Sequence, residues 1–308
     1  MLRTYRLEDG RLADAGLDGL IRVYSSPTEE EIAELTGPIG ISRHDVDSAL
    51  DPDELGRFEV EDDYVAVIVR RPKSYVAADQ FQFRVMSMGI FLAGEKLVVV
   101  IPEDVPLPER RSGVRLSGTT GVLLRLLSEV VGHFMGHLKV INMMSESLER
   151  KLQKTMENRY LVEMFSLSKS LVYFLSATTD NGRVLLKLKG AAPKLKFSEE
   201  ELDLLEDLVI DNQQCLNLTR TYSEVLSGLM EARAALVGNN LNLMMKNMNA
   251  VVIAIAVPSF LAGVGGMSEF STMTGARWWV AYPLFVVAML ALGVGTFWLI
   301  RRWEKGWN

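Results

Sequence analysis

From Ala250 to Gly266 the chain reads AVVIAIAVPSFLAGVGG, and from Trp278 to Ile300 it reads WWVAYPLFVVAMLALGVGTFWLI, without a charge in either stretch. Both approach the roughly 20 residues that carry a helix across a hydrocarbon core about 30 Å thick. The first reaches full length if the helix continues inward through Asn242 to Asn249. Only MSEFSTMTGAR separates the two, so they are predicted to form a transmembrane helical hairpin. Trp278, Trp279 and Tyr282 at one end, and Trp298, Trp303 and Trp307 at the other, suit interfacial aromatic belts. Lys246 precedes the first span, and Arg301, Arg302 and Lys305 follow the second, whereas the connecting loop holds only Arg277. By the positive-inside rule both termini are cytoplasmic, in the cell's inner membrane.

The hairpin explains the average composition. A chain of 308 residues with 48% apolar residues and 23% charged residues is two environments blended. Residues 246–308 hold five bases and two acids, a charge of +3; the preceding 245 residues hold 28 bases and 37 acids, a charge of −9. An acidic soluble part argues against nucleic acid as a partner, because phosphate binding draws on clustered Lys and Arg. The single cysteine, Cys215, forms no internal disulfide, and no signal peptide is read at Met1.

Up to about residue 105 short β-like runs alternate with polar turns: Leu20–Tyr24, Tyr64–Val69, Phe83–Leu92 and Lys96–Ile101. Thr28-Glu-Glu-Glu31 is a capping box opening a helix, and Asp45 to Leu55 is a further short helical or turn segment. The expectation is an α/β domain over 1–117. Helical periodicity then runs from Thr119 to about Asn158 and from Tyr160 to Lys189, with Asp180-Asn-Gly as a candidate interruption and Ala191-Ala-Pro193 as a break. This is a helical region over 118–197. Ser198-Glu-Glu-Glu201 restarts the helix with capping-box spacing. No proline follows until Pro258, so a stalk helix over 198–249 is expected to continue into the membrane hairpin and its tail over 250–308.

Along that stalk Leu202, Leu205, Val209, Leu216, Leu226 and Leu229, with Asn212 and Thr219 between them, mark a bundle or oligomer seam. Between Glu199 and Glu231 nine acids stand against one base, Arg220. This is either a solvated acidic face or a surface where parallel copies repel unless cations lie between them. In the first span Asn242, Met245, Asn249, Ala256, Ser259 and Gly263 recur at near-helical spacing. In lipid such a face turns toward other helices or toward a channel. One hairpin is too narrow to enclose a pore.

Asn242-Leu-Met-Met-Lys246, a proline, and Ala262-Gly263 ahead of Gly266-Met267-Ser268 resemble the CorA family of divalent-cation channels, the two-transmembrane GxN family, over nearly the whole chain. The chain departs from that pattern in four places. Ser268 stands where the family has the Asn of GMN, Glu269 where an aromatic is usual, Asn249 where threonine is usual, and Pro258 is displaced by one position. The resemblance implies a funnel-shaped homopentamer in membrane lipid, with a pore lined by Asn242, Met245, Met248, Asn249, Ala256, Ser259 and Gly263. It places Gly266, Met267, Ser268 and Glu269 at the outer mouth, and regulatory cations at Asp207 and Glu231 that favour closure. No cofactor is implied; divalent cations, magnesium foremost and cobalt or nickel beside it, are implied as substrate and regulator. A ring of amide oxygens suits a hydrated magnesium ion, which sheds water reluctantly. Ser268 is expected to widen or weaken that ring, and Glu269 to concentrate cations at the mouth.

Other readings remain. A zinc-directed or proton-coupled member of the family is the nearest, and a non-conducting membrane-anchored sensor or scaffold the next. His133 and His137 form H-x-x-x-H, a spacing able to ligate zinc, but with no third ligand nearby in sequence they read as helix-surface or bundle-core histidines. Gly132 and Gly136 read as close packing, and the Asn217-Leu-Thr219 sequon is only nominal in a cytoplasmic segment. With no P-loop, G-x-S-x-G elbow or complete dinucleotide fingerprint, an enzyme is not expected.

Overall fold

The computed structural model describes residues 1–8, 11–16, 19–75, 81–103, 118–154, 158–265, 275 and 278–305. The chain divides into two units, Met1–Met230 and Glu231–Asn308.

The first unit is built on a seven-stranded sheet in the order β2-β1-β3-β7-β6-β5-β4. Its strands are β1 (Leu2–Glu8), β2 (Arg11–Asp14), β3 (Ile21–Ser25), β4 (Arg57–Val60), β5 (Val65–Pro72), β6 (Val85–Ala93) and β7 (Lys96–Ile101). All neighbours pair antiparallel except β3 with β7, where Val23 lies beside Val99. The anticipated runs became β3, β5, β6 and β7. The strands β1, β2 and β4 were not anticipated: β1 mixes Arg and Glu with its apolar residues, and β2 and β4 are four residues each.

Period-two alternation sends the central strands' side chains into two separate cores. Leu97, Val99 and Ile101 of β7 join one, and Val98 and Val100 join the other. Against the second core lie α1 (Glu29–Thr36) and α2 (Arg43–Leu50). Thr28 closes the expected capping box with Glu31. Gly89 makes room for α2, since a Cβ there would come within 2.5 Å of the Ala49 Cβ. Asp45, only 3% exposed, ties α2 to the sheet by accepting from Arg57 at 2.5 Å and from the hydroxyls of Tyr64 and Ser42.

The first core is covered by α3 (Gly118–Lys154), α4 (Asn158–Leu195) and the first part of α5 (Glu199–Gly265). Asp180-Asn-Gly does not interrupt α4, because each residue is used sideways. Asn181 accepts from the Arg70 backbone N–H at 2.9 Å and donates to its carbonyl at 2.7 Å. This side-chain amide takes the place of a neighbouring strand where β4, last paired at Ile68, no longer reaches. Asp180 holds Arg183 at 3.0 Å and lies 3.9 Å from buried Arg70. Gly182 admits Asn212 of α5, whose Nδ2 lies 3.0 Å from where a Cβ would stand and donates to the Thr178 carbonyl at 3.0 Å. Nor does Pro193 end α4. Helix continues for two residues past it, and the chain turns instead at Lys196, with φ of 55°. Ser198 and Glu201 then cap α5 reciprocally.

The stalk seam is largely a bundle seam. Leu205 and Leu226 are buried in the first core together with Leu208 and Cys215, Leu229 packs partly against it, Leu216 is also buried, and Leu202 is exposed. Asn212 and Thr219, polar residues within that seam, are buried and bonded, Thr219 to the Cys215 carbonyl at 2.8 Å. Burial pushes the Cys215 thiol up to about 12.

In the second unit, α5 continues to Gly265 and α6 spans Trp278–Lys305. Two segments, within Glu199–Gly263 and Trp279–Trp303, are long and apolar enough to cross a membrane. From Glu231 to Asn249 no residue is buried.

Candidate transport site

Within the second unit α5 meets α6 along one stripe. Ala250 and Ala254 are buried, and α6 comes close enough that a Cβ on Gly293 would lie 3.3 Å from the Ala254 carbonyl and 3.4 Å from the Pro258 ring. Beside that contact runs an apolar groove of about 670 Å³ lined by Val251, Ile255, Ser259, Tyr282 and Met289 among others.

With 3.6 residues per turn, Asn242, Met245, Asn249, Ala256 and Gly263 fall within an arc of roughly 60°, on the side of α5 opposite the Ala250–Ala254–Pro258 contact. All five are exposed. Ser259 and Met248 stand off that strip, toward the groove. Ser259 borders it and donates its hydroxyl to the Ile255 carbonyl at 2.8 Å, leaving only acceptor capacity for anything outside the helix. Two residues that sequence reasoning missed lie on or beside the strip: Phe260, 72% exposed, falls within its arc, and Val252, 61% exposed, about 20° beyond its edge. The same arithmetic of helical positions would have found them; being large and apolar, they drew no notice in a membrane span. The strip thus grades from amides and thioether to apolar and small side chains. Gly266, Met267, Ser268 and Glu269 lie outside the described residues.

Of the stalk acids, Glu201 is committed to capping and accepts from Thr120 at 2.7 Å, and Glu206 holds Lys189 at 2.7 Å. Asp207 and Glu231 are both exposed on α5, separated by 24 residues, so they belong to different sites. Among the described residues no three His, Cys, Asp or Glu side chains come together as a metal site.

His133 and His137 do meet, with ring centroids 4.4 Å apart. His137 is 9% exposed and wedged between Phe83, at 5.2 Å, and Phe174, at 6.1 Å. Burial first, and then His133, lowers its pKa to about 4; burial and the Arg71 guanidinium lower that of His133. A neighbouring cation and an aromatic cage fit core histidines, not a zinc chelate.

An α/β unit joined through a single helix to two uncharged apolar spans, with polar and small residues on the outward face of the first, marks a two-span membrane protein. The family model described as "CorA-like Mg2+ transporter protein" matches residues 22–302. The chain belongs to this CorA family of divalent-cation transporters, which are not enzymes. It is 26% identical over 294 residues to the cobalt/magnesium transport protein CorA of Methanocaldococcus jannaschii, covering 91% of this chain and 89% of that one. The complete structure of the CorA magnesium transporter from that organism superposes with a TM-score of 0.78 at 23% identity, over 96% of each chain. Full-length CmaX superposes with a TM-score of 0.71 at 16% identity, over 97% of this chain and 96% of that one.

Proposed function

We propose that several copies of this chain, five by analogy with the family, form a channel for hydrated divalent cations, magnesium foremost, along the exposed strip of α5. The observation that carries this reading is the strip itself, which faces away from the chain's own second span and which one hairpin cannot enclose. Asn242 and Asn249 present amide oxygens to the ion's water shell, and Ala256 and Gly263 keep the path open beyond them. The segment leading into the span supports assembly. Leu236, Leu241, Leu243 and Met244 are each at least 50% exposed. Such a surface needs cover from further copies.

At the outer mouth Ser268, shorter than Asn and a weaker dipole, loosens the selective ring, and Glu269 raises the local cation concentration. Ser268→Asn is expected to shift the relative magnesium, cobalt, nickel and zinc fluxes in proteoliposomes; an unchanged ranking removes this role. Asp207 and Glu231 carry exposed carboxylates that a cation between protomers neutralises, holding the path closed until internal magnesium falls. Asp207→Ala with Glu231→Ala is expected to make flux several-fold less sensitive to internal magnesium. Wild-type flux indifferent to internal magnesium would end the gating proposal.

A further inference from the structure

The last turn of α6 is built differently from an ordinary charged helix end. Arg301 and Arg302 fall inside the membrane-spanning segment Trp279–Trp303. A long basic side chain at that depth ordinarily stretches outward so that its charge reaches water. Here both fold back toward the bilayer: the Arg301 guanidinium lies 5.5 Å from the Phe297 ring centroid, and that of Arg302 lies 5.3 Å from the Trp298 ring centroid. Each ring is one helical turn earlier, and the backward lean is the one helical side chains favour. The two cations are consecutive, so they point to different sides of the helix. Trp298 and Trp303 stand at the end of the span and are 59% and 80% exposed on the chain's surface, a position that suits the interfacial aromatic belt. From Phe297 to Asn308 there are three bases and one acid, Glu304.

We infer that Arg301 and Arg302, held over Phe297 and Trp298, form a binding site for the phosphodiester headgroups of anionic phospholipids in the cytoplasmic leaflet. The rings hold the guanidiniums at the level of the lipid phosphates, where a planar fork donates two parallel hydrogen bonds to a phosphate. A net negative headgroup supplies the additional attraction that distinguishes such lipids from zwitterionic ones.

Native mass spectrometry of the full chain released from nanodiscs of equal phosphatidylglycerol and phosphatidylcholine tests this. Wild type is expected to retain phosphatidylglycerol preferentially, and Arg301→Gln with Arg302→Gln to lose about 30-fold of that preference, roughly fivefold per arginine. Phe297→Leu with Trp298→Leu, which keeps both charges, is expected to lose part of it. Thermal unfolding of each variant in detergent separates lost lipid from lost fold. Equal retention of the two lipids by wild type, or undiminished preference in the folded double-arginine variant, overturns the site. Displacement of the lipid by millimolar inorganic phosphate overturns the lipid assignment in favour of a general phosphate site.

Discussion

His137 shows how one residue's surroundings decide between two chemistries that its spacing leaves open. Four residues from His133 it has the interval of a zinc pair, yet Phe83 and Phe174 enclose it and Arg71 lies near its partner. Its folded-state pKa of about 4 lies below the ordinary 6.5. The unfolded chain therefore takes up a proton that the folded chain refuses. Stability is full above about pH 6.5 and falls as the pH drops toward 4. Between pH 7 and pH 5 this one group is expected to remove about 2 kcal/mol. His137→Leu, which keeps the side chain apolar, should flatten the pH dependence of the denaturant midpoint over that window. An unaltered slope would show that His137 titrates normally in the fold. The sequence carried the i, i+4 spacing; the aromatic cage, drawn from residues 83 and 174, belongs to the tertiary structure.

At the level of elements, the helices were legible from periodicity and caps, and the misread points were residues whose role is sideways. Thr28 and Ser198 announced α1 and α5 because a capping box is a local pattern within four residues. Asp180-Asn-Gly carries a turn's composition, yet it sits inside α4 because its partners are Arg70 of β5 and Asn212 of α5. No local pattern records bonds across 111 positions. Asn181→Ala leaves a buried N–H and C=O of Arg70 without their partner and should destabilise the chain by roughly 2–4 kcal/mol in denaturant titration. A loss under about 0.5 kcal/mol would mean that the clamp contributes nothing. Likewise β1, β2 and β4 were hidden by short length and charge, since edge and near-edge strands need no continuous apolar run. The stalk's apolar stripe was legible as a seam, while its division between an intramolecular core down to Leu226 and exposed positions beyond Glu231 depended on which helices pack beside it.

For the whole molecule, the split into a −9 portion and a +3 end follows the chemistry of the two regions, an acidic soluble part and a membrane end closed by Arg301, Arg302 and Lys305. The spans were readable because an uncharged apolar run of about 20 residues matches the thickness of a bilayer core and exceeds what a soluble core helix needs. The path along α5 was readable only as a face, because what it faces is contributed by other copies. Gly263 offers the sharpest test of that face. A Cβ there meets nothing within 4 Å, so a bulky side chain fits the chain's own fold and obstructs only the space outside it. The decisive measurement is magnesium uptake into proteoliposomes holding the full chain, with wild type beside Gly263→Phe and protein-free vesicles. The account predicts wild-type uptake well above the protein-free level, and uptake by Gly263→Phe reduced at least tenfold with unfolding behaviour unchanged. Wild-type uptake no greater than that of empty vesicles, or full uptake by the folded Gly263→Phe protein, would contradict it.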